Sequence, residues 1–358
     1  MKTIGIISMQ RVINYGSFLQ AYALQKTIET LNNDVVFLDI EPGIQLETEI
    51  EIPTDINNRG HVSFVKRVDH TLFSFIRKIY FNQILIPRYF YRRHNDAIDG
   101  IIIGSDEVFN CLQPSKWGFS MQLLGDTYVP SASYAASFGF TTYELLKEYN
   151  VDKEVADALN KLTDISVRDN NSKECIMRLI NVEPEKHLDP VMIYNWDGVV
   201  KHKKKYKEYI LIYAYDNRIT DPHIIKAIML LAQKNNLSII SFGVYQRWCD
   251  KNILCSPFEL LGYFDNAKYV ITDTFHGTVI SIKRNKQFCT IVKPTNKNKL
   301  MDLLEQFNLS SRLVDNIDGI EETLEEIIDY NTVNRIIDEE ICRSKEYLRT
   351  TISRLTGD

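Results

Sequence analysis

Short apolar segments alternate with segments of helical periodicity along most of the chain. Thr3–Ser8 and Asp34–Ile40 are apolar runs of strand length, and between them Phe18–Leu31 repeats apolar residues with the period of a helix. Strand, helix and strand of these lengths predict a parallel βαβ unit with a right-handed crossover. The alternation resumes at Gly100–Gly104 and continues to Phe288–Val292. It predicts an α/β protein whose sheets are covered by helices on both faces.

The alternation forms two series, which predict two doubly wound, Rossmann-like domains. The first covers residues 1–163 and contains a variable segment, 41–99, that is first acidic and then aromatic and basic; we interpret it as an insertion or a lid. The second covers 164–330 and begins with the run Ile165–Arg168. We expect the charged tail, 331–358, to form a helix that packs back on the first domain.

Composition and charge exclude several classes of protein. The 358 residues are 44% hydrophobic and 25% charged, which is typical of a globular protein. A net charge of −5 argues against a protein that binds nucleic-acid phosphates. The six cysteines form no C-x-x-C pair, the first apolar run is too short for a signal sequence, and no run reaches the ~18 apolar residues of a membrane span. We therefore expect a cytoplasmic protein with reduced thiols.

Polar residues follow the predicted strands, where ligands bind in doubly wound sheets, and with two such domains the cleft between them is the expected active site. Asn14, Tyr15 and Gly16 lie between the first strand and its helix. This turn is either an anion site built from backbone amides or a plain helix cap. Neither a G-x-G-x-x-G nor a P-loop motif occurs, so dinucleotide and P-loop functions lack support.

Two carboxylates end the buried run GIIIG. Ser105 and Asp106 follow it directly, with Glu107 next and Asn110 three positions on. Asp106 is a candidate to orient or deprotonate a sugar hydroxyl. The alternative is a turn in which these side chains cap the next helix.

Arg168 ends the apolar run ISVR, so its guanidinium is expected inside a sheet. A buried charge requires an anionic partner, because an unpaired one is costly. That partner is either an internal aspartate or a bound phosphate or carboxylate, which the arginine fork suits geometrically. We favour the bound ligand.

The segment from Asp273 to Thr278 follows the run YVIT and opens an amphipathic helix. His276 is expected at the helix start, beside the amides of Gly277 and Thr278. That position favours an anion, and an imidazole there can donate a proton near neutral pH. The alternative is a structural histidine; the following glycine and the neighbouring Asp273 favour a functional one.

Two further patterns in the sequence give little support for a specific function. His202–Lys205 with Lys207 is a basic run, interpreted as a solvated loop, with weak attraction to an anionic membrane as the alternative. The histidines lack the spacing of metal ligands and H-E-x-x-H is absent, so we predict no metal site.

Together these residues resemble the polysaccharide pyruvyl transferase family, over the stretch from the first strand to about Leu313. The resemblance rests on six segments in the family's order: GII-S-x₅-NYGSFLQAYALQ, GSDEVFN, SYAASFG, ISVRD, LDPVM and VITDTFHGTVISI. Segment 41–99 and the tail carry no such match.

The resemblance implies a two-domain glycosyltransferase B-like fold and transfer of the pyruvyl group of phosphoenolpyruvate onto two sugar hydroxyls, which forms a pyruvate ketal and releases phosphate. It assigns donor binding to residues matching Arg168 and His276. From the chemistry of the reaction, which needs a general acid and a base, we assign His276 to proton donation or phosphate stabilisation and Asp106 to the acceptor hydroxyl. Some members carry an arginine at the position of Thr274, and Lys299, Lys293 and Arg247 are candidates to replace its charge.

The expected donor site comprises a small set of residues in addition to Arg168 and His276: Thr274, Gly277, Thr278 and Lys299. The expected acceptor side comprises Asn14, Tyr15, Gly16, Ser105, Asp106 and Asn110. No metal or organic cofactor is expected, because phosphate is the leaving group. A lipid-linked saccharide acceptor is expected, which would place the enzyme at the inner face of the cell membrane.

Two other functions are compatible with the same architecture. One is a glycosyltransferase that uses a nucleotide sugar as donor. The other is a non-catalytic subunit of a polysaccharide assembly complex, which would bind a glycan or a protein and release no phosphate.

Overall fold

A computed structural model describes most of the chain and divides it into two compact units. The described residues are 1–46, 64–90, 97–112, 117–202, 206–216, 218–293, 296–315 and 319–357. Residues 47–63 and 91–96 of segment 41–99, and Lys203–Lys205 of the basic run, lie outside them. All six cysteines lie within the described residues and are free thiols.

The first unit comprises Met1–Ile50, Leu85–Tyr194 and Arg335–Asp358. Its six strands are β1 (Lys2–Ile7), β2 (Asn33–Phe37), β3 (Gly100–Asp106), β4 (Ser131–Ala136), β5 (Ser166–Val167) and β6 (Glu185–Lys186). They form one parallel sheet in the order β2-β1-β3-β4-β5-β6. Its helices are α1 (Tyr15–Glu29), α3 (Ile86–Tyr89), α4 (Tyr143–Glu148), α5 (Asp152–Leu159), α6 (Asn170–Ile180) and α7 (Pro190–Ile193), with a 3₁₀ turn at Met121–Leu124.

The second unit comprises Glu51–Ile84 and Asn195–Asn334. Its strands are β7 (Tyr209–Tyr213), β8 (Ser238–Phe242), β9 (Lys251–Ile253), β10 (Tyr269–Thr272), β11 (Phe288–Ile291) and β12 (Leu313–Val314). They form a second parallel sheet in the order β12-β11-β10-β7-β8-β9. Its helices are α2 (Phe64–Ile79), α8 (Pro222–Lys234), α9 (Pro257–Asn266), α10 (Phe275–Lys283), α11 (Lys297–Gln306) and α12 (Gly319–Glu325), with a π-helical segment at Tyr80–Leu85 and a 3₁₀ turn at Ser310–Arg312.

The central strands of both sheets are apolar at successive positions, as expected for sheets that are buried on both faces. Ile101–Ile103 of β3 and Ile210–Ile212 of β7 are fully buried. A strand covered by helices on both sides needs apolar residues at successive positions, whereas a half-exposed strand alternates. The predicted α/β class with two doubly wound sheets is confirmed.

The predicted domain boundary after Thr163 is corrected. Strand β5 pairs with β4 through Val167 and Ala136, and β6 pairs with β5, so the first unit continues to Tyr194. Arg168 therefore belongs to the first unit and not to the second, where the sequence placed it together with His276. Hydrophobic pattern identifies a buried strand, but a strand of two residues carries no information about which sheet it joins.

The predicted C-terminal helix is α13 (Tyr330–Thr356), whose residues from Arg335 onward belong to the first unit. There the hydroxyl of Tyr347 donates to the carbonyl of Ser133 in β4 at 2.9 Å. The ammonium of Lys2 in β1 donates to the carbonyl of Thr356 at 3.1 Å. Helix α13 thus stabilises the first sheet.

Segment 41–99 contains α2, the π-helical segment and α3, in agreement with the predicted helical character of its second half. Of this segment, Glu51–Ile84 belongs to the second unit, although the segment lies in the chain between β2 and β3 of the first unit. Within the described ranges, none of the helices has the length and apolar composition needed to traverse a bilayer.

Candidate functional site

In the first unit, a carboxylate at the end of β3 is held by the turn after β1. The hydroxyl of Ser17 donates to Oδ2 of Asp106 at 2.6 Å. Ser17 is fixed because Asn14 caps α1, its side chain accepting from the amides of Gly16 at 2.7 Å and Ser17 at 3.3 Å. The predicted Asn14 turn and Asp106 therefore lie together.

The backbone leading to Asp106 depends on a glycine. Gly104 has φ +125°, and a Cβ there would lie 2.3 Å from the carbonyl oxygen of Tyr134. Asp106 itself adopts φ +78°, a conformation that aspartate tolerates better than most residues. Gly104 thus lets β3 end with the side chain of Asp106 next to α1.

Arg168 is buried and paired with carboxylates of its own unit. Its Nη1 lies 3.1 Å from Oδ2 of Asp189, and its Nη2 lies 3.6 Å from Oδ1 of Asp106. Burial by itself lowers the pKa of Arg168, but Asp106 and Asp189 outweigh that effect and raise the pKa above its usual value. The structure therefore supplies the internal aspartate that the sequence left as one alternative, and donor binding by Arg168 stays a prediction.

Asp189 is a member of this cluster that sequence reasoning missed. It caps the short helix α7, accepting from the amide of Val191 at 3.0 Å, while its other oxygen accepts from Arg168. The available signal was the Asp-Pro step in LDPVM, because aspartate before a proline is typical of a helix start.

The other predicted acceptor residues differ in how accessible they are. Tyr15, Ser105 and Asn110 are buried, whereas Asn14 and Asp106 are partly exposed. Asn110 donates to Oε2 of Glu107 at 2.8 Å and accepts from the hydroxyl of Thr141 at 2.7 Å. Ser105 donates to the carbonyl of Ala135 at 2.7 Å. The buried members therefore support the loop, and Asn14, Asp106 and Glu107 are the polar groups that a ligand can reach.

In the second unit, Thr274 caps the helix that carries His276. Its Oγ1 accepts from the amide of Gly277 at 2.8 Å, and its carbonyl accepts from the amide of Thr278 at 3.1 Å. The hydroxyl of Thr278 also donates to that carbonyl, at 3.0 Å. The two amides that the sequence offered to an anion are thus engaged in the helix cap, and their role in donor binding stays a prediction.

Gly277 has a packing role that explains its position after the histidine. A Cβ there would lie 2.0 Å from Oγ1 of Thr272 and 2.7 Å from Oγ1 of Thr274. Only glycine lets α10 begin this close to the end of β10. The first turn of α10 is thereby fixed, and it holds His276 with 6% of its surface exposed.

Asp273, between β10 and this helix, is fully buried. Its Oδ1 accepts from the amide of Tyr215 at 3.0 Å, and its carbonyl accepts from Asn296 at 2.7 Å, whereas within the described residues its Oδ2 has no hydrogen-bond partner. Burial raises the pKa of Asp273 to about 6, although the Tyr215 amide, Arg218 and Lys293 act in the opposite direction. Asp273 can therefore exchange a proton near neutral pH.

Cations near Asp273 are candidates to replace the positive charge of the arginine that some family members carry at position 274. Arg218 and Lys293 both act on the pKa of Asp273, which places them near it; Arg218 also stacks on the Tyr215 ring at 4.6 Å. Lys299 lies half-buried in the first turn of α11, three residues after Asn296, whose side chain bonds to the carbonyl of Asp273. Sequence reasoning named both lysines and missed Arg218, whose place depends on the fold of β7.

Among the described residues, no three His, Cys, Asp or Glu side chains are grouped as a metal ion would require. Both clusters instead consist of hydroxyl, amide, carboxylate and cationic groups at the carboxyl ends of parallel strands. Such groups bind hydroxylated and anionic ligands.

A family model described as polysaccharide pyruvyl transferase matches residues 14–292, which is more than half of the chain. The chain belongs to this family. The match contains the Asn14 turn, Asp106 and Arg168 of the first unit and the Asp273–Thr278 segment of the second. Membership indicates a transferase with a pyruvyl transfer role in polysaccharide synthesis. Lys299 and α13 lie beyond the matched residues.

Solved structures show the same fold at low identity. The glycosyltransferase SnogD from Streptomyces nogalater is 11% identical, with a TM-score of 0.51 and 99% of each chain covered. The glycosyltransferase of kitacinnamycin is 10% identical, with a TM-score of 0.52, covering 99% of this chain and 98% of that one. S. aureus MnaA in complex with UDP is 13% identical, with a TM-score of 0.50 and coverage of 95% and 91%. This pyruvyl transferase family member therefore has a glycosyltransferase B fold; no curated protein sequence matches it.

Proposed function

We propose that this protein moves the pyruvyl group of phosphoenolpyruvate onto two hydroxyls of one sugar in a polysaccharide or its lipid-linked repeat unit. The product is a pyruvate ketal, and phosphate is released. The observation that carries the proposal is the family match over residues 14–292, which includes both polar clusters.

The reaction balances without a redox partner. A proton adds to the methylene carbon of the donor, and one sugar hydroxyl attacks C2 and gives up its proton. The C–O bond to phosphate then breaks with both electrons on phosphate, and the second hydroxyl attacks C2. One hydroxyl proton replaces the proton taken up by carbon and the other leaves with phosphate. These steps need a general acid and a general base. Because phosphate is the leaving group, we propose that no metal or organic cofactor takes part.

We assign the acceptor side to the first unit, with Asp106 as the base. Its side chain is 13% exposed, so it can contact a hydroxyl, and it is oriented by Ser17 and Arg168. A carboxylate held from two sides retains its position when a substrate binds, which favours proton transfer. In this assignment Arg168 is a positioning residue for Asp106, because its charge is already shared by Asp106 and Asp189. The donor binding that the resemblance predicts for Arg168 is not part of the assignment.

We assign the donor side to the second unit. Phosphoenolpyruvate carries up to three negative charges, and Arg218 and Lys293 are two cations of this unit that lie near Asp273 at the end of β10. They would provide the charge that an arginine at position 274 provides elsewhere in the family. His276 is assigned to proton donation or to the leaving phosphate, and Asp273 to holding a proton beside it.

Conservative variants in the transfer reaction test these assignments. Asp106→Asn keeps the size of the side chain and its contact with Ser17, and should lower kcat about 100-fold or more while leaving the KM for phosphoenolpyruvate nearly unchanged. His276→Gln should lower kcat and raise that KM.

The controls are Asp157→Asn and His223→Ala, which change exposed residues of the same two units and should leave both constants unchanged. Thermal melting of each variant reports whether it folds. Full activity of a folded Asp106→Asn protein would remove Asp106 from the reaction.

A donor other than phosphoenolpyruvate is the alternative that the fold suggests. The MnaA structure contains UDP, and two of the similar proteins are glycosyltransferases. Proteins with different chemistry can share one fold, so structural similarity at 10–13% sequence identity supports the fold alone. The family match supports the proposal of phosphoenolpyruvate as donor. Transfer from a sugar nucleotide would contradict that proposal.

A further inference from the structure

Helix α2 and the π-helical segment after it expose a row of large apolar side chains. The row is Val68, Leu72, Phe75, Ile76, Ile79 and Ile84, each between 43% and 59% exposed. The first five recur at intervals of three and four residues, so they lie on one side of α2. We call these six residues the exposed apolar face. A contiguous apolar surface of this kind marks an interaction site more often than scattered exposed residues do.

The opposite side of α2 contacts its own unit through polar and aromatic groups. Nε2 of His70 lies 2.7 Å from Oδ2 of Asp216, and Nη1 of Arg77 donates to the carbonyl of Gly243 at 3.3 Å. The ring of Phe73 contacts Tyr245 at 5.6 Å. His70, Phe73 and Arg77 have the same helical spacing as the apolar row but lie on the other side of the helix. A surface helix ordinarily buries its apolar side, so α2 has the reverse orientation.

The charge of this segment differs in sign from that of the remaining chain. Phe64–Tyr89 contains five Lys and Arg residues and one Asp, a net charge of +4. The other residues then hold 37 basic and 46 acidic side chains, a net charge of −9. Lys78, next to the exposed apolar face, is itself exposed. Apolar side chains flanked by basic ones are the composition of helices that lie in the interface of an anionic membrane.

We propose that the exposed apolar face of α2 docks on an anionic phospholipid surface, with the helix lying in the plane of the membrane. The apolar side chains enter the boundary between headgroups and acyl chains, and Lys78 contacts the phosphates. A lipid-linked acceptor, which belongs to the proposed function, would be met at that surface. The docking stands on α2 alone and is tested without donor or acceptor.

A second copy of the chain is the other occupant to consider, and the charges argue against it. A symmetric dimer through this face would bring together two segments of net charge +4, and like charges across an interface are unfavourable. Anionic headgroups have the opposite sign. The charge of the segment therefore favours the membrane.

Cosedimentation of the full-length protein with vesicles tests the proposal. We expect binding to phosphatidylcholine vesicles that contain about one third phosphatidylglycerol, and at least about tenfold weaker binding to phosphatidylcholine alone. The double variant Leu72→Asn, Phe75→Asn should bind the anionic vesicles at least about tenfold more weakly. Lys78→Gln should weaken binding about fivefold and reduce its salt dependence.

The matched control is Met229→Asn, Leu230→Asn, which changes two exposed apolar residues of α8 in the same unit and should bind like the unaltered protein. Equal binding by the Leu72, Phe75 variant, or no binding to anionic vesicles, would overturn the proposal. So would a dimer in solution that this variant dissociates. If the protein binds vesicles but has no transferase activity, the proposed function is contradicted and the proposed docking surface is supported.

Discussion

Asp273 is a buried carboxyl group whose raised pKa makes the stability of the fold depend on pH. Its Oδ1 accepts the amide of Tyr215, its Oδ2 has no hydrogen-bond partner within the described part of the chain, and its side chain is fully buried. Burial raises its pKa from 3.8 to about 6. Between those pH values the folded protein holds a proton that the unfolded chain has lost, so this group makes folding less favourable as the pH rises.

Asp273→Asn should therefore remove a pH dependence. From about pH 4 to about pH 7, the free energy of unfolding of the variant should gain about 2 kcal/mol relative to that of the unaltered protein. Asparagine keeps an oxygen for the Tyr215 amide, and any constant effect of the new amide group cancels when two pH values are compared. Urea unfolding of both proteins at the two pH values measures the difference. A difference that does not change with pH would show that Asp273 titrates normally.

The sequence predicted individual candidate residues, but it did not predict which side chains contact them. The sequence identified Asp106, Arg168 and His276 because charged and polar residues at the ends of apolar runs are chemically conspicuous. It did not show that Asp189, 21 residues after Arg168, neutralises the guanidinium. Partners of that separation are set by the packing of elements, which periodicity does not encode.

At the scale of elements, Thr274 accounts for a departure from the family pattern. Its Oγ1 lies 2.8 Å from the amide of Gly277 and caps α10, and it also lies 3.1 Å from Oγ1 of Thr272. An arginine offers no acceptor for a helix amide and leaves the cap to another group. The threonine thus secures the helix that carries His276, and the proposed function assigns the cationic role to Arg218 and Lys293.

Thr274→Ala should lower the stability of the protein by about 1 kcal/mol, because the cap is lost, whereas Thr274→Ser should keep most of it. Thr142→Ala removes the cap of α4 in the first unit and is the matched control for stability. Urea unfolding gives the free energies, and the KM for phosphoenolpyruvate should rise only when the cap of α10 is lost. An equal KM effect of Thr142→Ala would show that the effect of Thr274→Ala is a general loss of stability.

Elements with long regular patterns were predicted, and short ones were not. The sequence located α1 and β3 from their apolar periodicity, and the structure places α1 at Tyr15–Glu29 and β3 at Gly100–Asp106. It assigned β5 to the second domain, because a run as short as ISVR fits either sheet. It interpreted segment 41–99 as an insertion or lid, but sequence periodicity did not show that the apolar side of α2 faces outward.

At the scale of the molecule, the two six-stranded sheets follow from the alternation of apolar runs and amphipathic helices. The limits of the two units do not, because the chain crosses between them several times. It leaves the first unit for α2, returns at Leu85, leaves again after Tyr194 and returns within α13. Such crossings depend on contacts between residues far apart in sequence, such as Tyr347 with Ser133. The fold class could therefore be predicted from the sequence, whereas the division of residues between the two units could not.

The reaction itself is the property that belongs to the whole molecule, and mass spectrometry of the acceptor tests it most directly. With phosphoenolpyruvate and a panel of saccharides, free and lipid-linked, we expect one acceptor to gain the mass of pyruvic acid less water, with one phosphate released for each product molecule. The same incubation with sugar nucleotides should leave the acceptors unchanged. Transfer of a sugar from a nucleotide, or phosphate release with no change in acceptor mass, would contradict pyruvyl transfer.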